Sequence, residues 1–156
     1  FNAEDLGYMS QEVKDLLVVL NWLGMNILMF VFDPREDGEE KPEEFIENSV
    51  CYTGTHDNTT LLGWLESLPD EILNSLKAYF NSEDPKVLAE KIIQEGERSK
   101  SFLMVVPIQD WLGMGKEARI NTPGTSSGNW QWRLRSMDLL KSLAPRIKKT
   151  IGDRAQ

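Results

Sequence analysis

The stretch Met25-Asn26-Ile27-Leu28-Met29-Phe30-Val31-Phe32-Asp33-Pro34 is apolar apart from Asn26 until it stops on Asp33-Pro34. A continuous apolar run ended by a proline, which supplies no ladder donor and favours a turn, predicts a strand covered on both faces. Upstream, Ser10-Gln11-Glu12-Val13 is close to a helix-capping pattern, and Val13, Leu16, Leu17 and Leu20 fall on one helical face that Gly24 is expected to end. Phe1 to Gly7 reads as the end of a further strand entering a turn, so the chain is taken as a piece of a longer protein. Downstream, a second short strand is predicted from Ser49 to Thr53 and a third buried-type strand from Ser101 to Ile108. Helical patterns fill about 59–67, 70–80 and 85–98, with Pro69 and Pro85 near helix starts, and a last helix is expected from about Ser136 to Lys149. Roughly four strands separated by helices argue for parallel βα units, an α/β fold. A closed eight-stranded barrel takes about 250 residues, so the pattern allows half a barrel or a small open sheet.

The 156 residues suffice for one domain with a core. Their net charge of −8 repels phosphate backbones and anionic lipid, which argues against nucleic acid and membrane surfaces as partners and is compatible with neutral ligands such as sugars. The single cysteine, Cys51, allows no intrachain disulfide and is expected to pack as a small apolar side chain. With no run long enough to span a bilayer and no visible signal peptide, a reduced cytoplasmic setting is the default expectation.

Acidic groups fall at or just after predicted strand ends: Glu4 with Asp5, Asp33, and Asp57 beside the only histidine, His56. Chemistry in parallel α/β folds collects at the carboxyl ends of strands. Carboxylates there suit glycosyl transfer, which needs a proton for the leaving oxygen and negative charge near an oxocarbenium-like centre. The same residue types also cap helices and bend turns. The acidic stretch from 34 to 48 reads as a solvated loop in preference to a metal site. One histidine without cysteine partners makes a poor zinc site. Gly113-Met114-Gly115-Lys116 fails as a phosphate loop, because Asp110 and Glu117 stand where Gly and Ser or Thr are needed. Trp111, Trp130 and Trp132 are either core residues or stacking platforms for sugar rings.

Four segments together resemble the amylomaltase family, the 4-alpha-glucanotransferases or D-enzymes of the alpha-amylase clan. They are Ala3-Glu4-Asp5-Leu6-Gly7, Phe30-Val31-Phe32-Asp33, Tyr52-Thr53-Gly54-Thr55-His56-Asp57-Asn58, and the stretch Ala118-Arg119-Ile120-Asn121-Thr122-Pro123-Gly124-Thr125 running on to Arg133. The resemblance covers nearly the whole chain and is weakest in the helical segment from about 66 to 98. It implies that residues 1–156 are the C-terminal half of a catalytic (β/α)8 TIM barrel, with 66–98 a helical insert. It implies retaining transfer of alpha-1,4-glucan segments between malto-oligosaccharides, without metal or organic cofactor, in the cytoplasm or, in a plant, the plastid. By position, Glu4 is implied as general acid/base and Asp57 as the carboxylate that stabilises the transition state. His56 would hydrogen-bond the reacting sugar, Asp33 and Asn121 would bind substrate, and Pro123 and Gly124 would shape the adjoining loop. A retaining enzyme also needs a nucleophilic carboxylate about 5–5.5 Å from the acid. The resemblance puts it upstream of Phe1, so the fragment is expected to be inactive without the N-terminal part of the same enzyme. The alternative is a non-catalytic carbohydrate-binding or interaction module, which has no need of an acid/base at Glu4.

Overall fold

β-prone, apolar segments after polar loops give three strands, and they lie side by side in chain order with every pair parallel. In the computed structural model, which describes residues 1–6, 10–36 and 40–152, these are β1 (Gly24–Ile27), β2 (Ser49–Tyr52) and β3 (Leu103–Val105). The predicted first strand is reduced to one parallel bridge between Asn2 and Leu23, on the outer side of β1. Gly7 of the first motif, and Asp37 and Glu39 of the acidic stretch, lie outside the described residues.

The stretch 25–32 corrects its own reading. Only β1 is extended, and Leu28–Val31 turns into a short helix, α2, whose Leu28 and Met29 are buried. An unbroken apolar run reports burial, and burial suits a helical turn as well as a strand. Met29 N still donates to Thr53 O at 3.2 Å, so the turn stays fastened beside the end of β2. β3 is likewise shorter than the predicted 101–108, because Pro107 opens another short helix, α6 (Ile108–Trp111).

The first helix, α1 (Gln11–Leu20), forms where predicted but ends differently. Asn21, with φ 51°, caps it in the left-handed conformation, and Ser10 makes no side-chain cap bond. Gly24 instead begins β1, where a Cβ would stand 2.7 Å from an Asp5 carboxylate oxygen. The face predicted to be apolar has no buried residue; Val13, Leu16 and Leu20 are all exposed.

Helices α3 (Leu61–Ser67), α4 (Asp70–Phe80) and α5 (Pro85–Arg98) follow the predicted ranges closely, and α7 (Asp138–Ile151) ends the described chain. Thr60 caps α3 by accepting from Gly63 N at 3.1 Å, and Asp84 caps α5 by accepting from Lys86 N at 2.9 Å. α3 packs on α5, and Leu61, Leu65, Leu88 and Ile92 are completely buried together with Cys51 of β2. Each such aliphatic side chain contributes about 1.5–3 kcal/mol of burial. In the acidic stretch Glu43, Glu44 and Glu47 are exposed, while Pro42 and Phe45 are buried among them.

Candidate active site

A short loop leaves β2 at Thr53 and enters α3 at Leu61. Within it, Asn58 Oδ1 accepts from Thr55 N at 2.8 Å and from Thr55 Oγ1 at 2.9 Å. That side-chain turn lifts His56 and Asp57 outward, and both side chains are about half exposed. The Asp57 carboxylate is held from a distant part of the chain. Asn121 Nδ2 donates to its Oδ1 at 2.6 Å, and Arg119 Nη2 donates to the Asp57 backbone oxygen at 2.6 Å. Arg119 also donates through Nε to the Asn121 carbonyl at 2.7 Å, so one guanidinium ties the two segments together. His56 Nε2 stands 3.3 Å from Asp57 Oδ1, and its ring lies against Trp130 with centroids 5.2 Å apart.

A cleft of about 440 Å³ opens beside this loop. It is lined by Glu4, Tyr52, Gly54, His56, Asn58 and Arg119, among others. Glu4 reaches it because its neighbours on both sides are pinned beside β1. Ala3 N donates to Leu23 O at 2.9 Å, and Asp5 Oδ1 accepts from Met25 N at 2.8 Å. Tyr52 OH accepts from Asn2 Nδ2 at 2.8 Å across the same opening. Glu4 and the His56–Asp57 pair therefore follow the carboxyl ends of two different extended segments of one parallel arrangement.

The sequence match supplies the family. The 4-alpha-glucanotransferase family model matches residues 1–139. The chain belongs to that family. It is 34% identical over 147 residues to the chloroplastic/amyloplastic 4-alpha-glucanotransferase of Solanum tuberosum, covering 94% of this chain and 26% of that protein. It is 38% identical over 133 residues to the 4-alpha-glucanotransferase of Streptococcus pneumoniae serotype 4, covering 85% of this chain and 26% of the relative. Among solved structures it is similar to the amylomaltase of Streptococcus agalactiae in complex with acarbose, with a TM-score of 0.84 and 32% identity over 95% of this chain and 30% of that one. The chain thus spans about a quarter of the length of these curated relatives. Among the described residues no helix is long and apolar enough to cross a membrane.

Of the positions singled out in this glucanotransferase-family chain, the structure brings Glu4 and His56 into one cleft and sets Asp57 and Asn121 in contact beside it. Asp33 is not part of that group. It is 4% exposed and accepts three bonds from Arg35, from the backbone N at 3.1 Å, Nε at 2.8 Å and Nη2 at 2.7 Å. Hydrogen bonding from Arg35 holds its carboxyl below the usual aspartate range. Pro123 and Gly124 lie in an exposed loop closed by Asn129, whose Oδ1 accepts from Thr122 N at 3.0 Å; Gly124 there takes φ 78°. Trp111 is a core residue, with the Arg146 guanidinium over its ring, whereas Trp130 is exposed beside His56. Arg119 and Asp110 were not singled out as site residues from sequence. Arg119 sits inside the quoted Ala118–Thr125 motif, which was the available signal, while Asp110 entered only as a residue that spoils a phosphate loop.

Proposed function

We propose that this chain is the C-terminal part of a (β/α)8 barrel, with residues 66–98 as its helical insert, and that it serves retaining transfer of alpha-1,4-glucan segments between malto-oligosaccharides. Glu4 acts as general acid/base and Asp57 answers the positive charge that develops at the reacting carbon. His56 and Asn121 bind the sugar there, Pro123 and Gly124 border it, and Asp33, paired with Arg35, is a further substrate-binding position. The observation that carries this reading is the cleft at the strand ends, lined by both Glu4 and His56, with the clasped Asp57 next to His56 in the same loop. Asn121 donates to the Asp57 carboxylate and Arg119 to its backbone oxygen, so both hold Asp57 in place without a direct ion pair that would neutralise its charge.

The barrel part of the proposal is supported by exposed apolar side chains on one face of β3. Side chains alternate across a strand, so Tyr52, Leu103 and Val105 share one face of the sheet. Leu103 and Val105 are exposed there, although parallel sheets bury both faces. In a barrel the remaining strands would cover that face. The experiment is disproportionation of maltotriose by the complete enzyme that contains this segment. Glu4→Gln should cut glucose release by about 10²–10⁴-fold, because an amide cannot protonate the leaving oxygen. Asp57→Asn should cripple turnover while calorimetry still detects sugar binding. Near-normal turnover in Glu4→Gln would remove that residue from the mechanism and leave the binding-module alternative standing.

A further inference from the structure

Asp110 is a buried carboxylate, 4% exposed, in α6 after β3, and the mechanism above makes no use of it. Its two oxygens accept from the two ends of one loop. Oδ2 accepts from Thr53 Oγ1 at 2.5 Å, just past β2, and Oδ1 accepts from Leu61 N at 2.7 Å, the first residue of α3. Between those ends lie His56 and Asp57. The adjacent Gln109 donates through Nε2 to Ala118 O at 3.4 Å, immediately before the segment whose Arg119 and Asn121 clasp Asp57.

We propose that Asp110 is the positioning residue for Asp57, fixing both ends of the 54–60 loop so that the carboxylate stays at its place beside the cleft. The inference rests on the reading of Asp57 as the transition-state stabiliser. A carboxylate suits the task because both partners are donors and each oxygen can take one of them. Burial pushes the Asp110 carboxyl up from its ordinary value, so the site works against the charge it holds. An apolar side chain of similar volume would fill the space without that cost, and what it would lack is the two acceptors. Asparagine can keep both bonds, its oxygen accepting from Leu61 N while its amide donates to a reoriented Thr53 hydroxyl.

The test is made in the complete enzyme with Asp110→Leu, Asp110→Asn and Thr53→Val, with Asp57→Asn as the reference. Kinetics are measured well below each variant's melting temperature, with deuterium exchange followed in peptides spanning 54–60. Asp110→Leu should lower kcat per folded enzyme by about 100-fold, the scale for displaced catalytic groups, and speed exchange across 54–60. KM should stay within about threefold, since ground-state sugar binding is not what is lost. Asp110→Asn should restore most of kcat together with slow exchange. Should the leucine variant not fold, Thr53→Val, which removes one of the two bonds, should still accelerate exchange and reduce kcat by roughly tenfold. Parent-like exchange at 54–60 in Asp110→Leu or Thr53→Val overturns the inference, as does a kcat loss explained entirely by unfolded enzyme. An Asp110→Asn variant as impaired as the leucine one also overturns it, because charge and not tethering would then matter. Full turnover in Asp57→Asn would sink the functional reading, while the exchange result would still decide the tether.

Discussion

Arg35 grips Asp33 with two parallel bonds and Asp110 takes two donors in a buried niche, yet acid should act on these carboxylates in opposite senses. Asp33 has its folded pKa lowered by Arg35. Its contribution is therefore present above the unfolded aspartate value of about 3.9 and lost as pH falls through the lower folded value. Asp110 has its folded pKa raised, so its contribution is full below that unfolded value and lost as pH rises through the folded one. The expected outcome is that the melting-temperature deficit of Asp33→Asn against the parent shrinks as pH is lowered from about 6 to 3. For Asp110→Asn the variant should instead improve against the parent as pH rises. Thermal unfolding across that range checks both signs, and parallel slopes would show that one assignment is wrong. At this scale the sequence indicated Glu4, His56, Asp57 and Asn121 through their motifs. It did not indicate Arg119 or Asp110 as partners, because Arg119 meets Asp57 across 62 positions and Asp110 meets Leu61 across 49. Motif reading recognises residues in order along the chain, and these bonds join residues that order keeps apart.

The junction between α3 and the turn at Lys116–Ala118 shows how one element sets another's position. A Cβ at Gly63 would stand 2.8 Å from the Lys116 backbone nitrogen and 2.9 Å from both Thr59 Oγ1 and Thr60 Oγ1. Backbone cannot swing aside as a side-chain end does, so Gly63→Ala must move the turn that leads into Arg119. Alanine gains about 1 kcal/mol of helix propensity over glycine. Overpacking at such a contact costs about 1–3 kcal/mol, so a net loss of stability is expected. Turnover should fall as well, since the displaced turn precedes both residues that clasp Asp57. Denaturant unfolding and kcat on one preparation check this, and a stabilised variant of normal activity would sink it. The elements most legible in sequence were α4 and α5, where amphipathic periodicity and a proline at the start agree. The strands were legible in position but not in length. In 25–32 and 101–108 each apolar run passes from strand into a helical turn without any change of composition that marks the junction.

For the whole molecule the exposed apolar residues of α1 and β3 are decisive. Val18 and Val19 of α1 are about four-fifths exposed, and Leu103 and Val105 lie bare on β3. Exposed apolar surface of that kind promotes association when nothing covers it. Residues 1–156 produced alone are thus expected to self-associate or stay partly molten and to release no glucose from maltotriose. Sedimentation and a glucose assay on the purified chain check this, with the Glu4→Gln chain as the control for contaminating enzyme. Activity present in the first and absent from the second would show a catalytically complete chain and end the half-barrel proposal. The route of the chain through the Asp57 site also bears on recombination between related enzymes. Asp57 is borne on one side of the helices α3 to α5, while Asp110, Arg119 and Asn121, which hold it directly or through its loop, lie on the other. A crossover anywhere within those helices would leave the fold's outline intact yet join one parent's loop to the other parent's fastenings. Hybrids cut there should more often be folded but slow than hybrids cut before β2, which inherit the loop and its holders from a single parent.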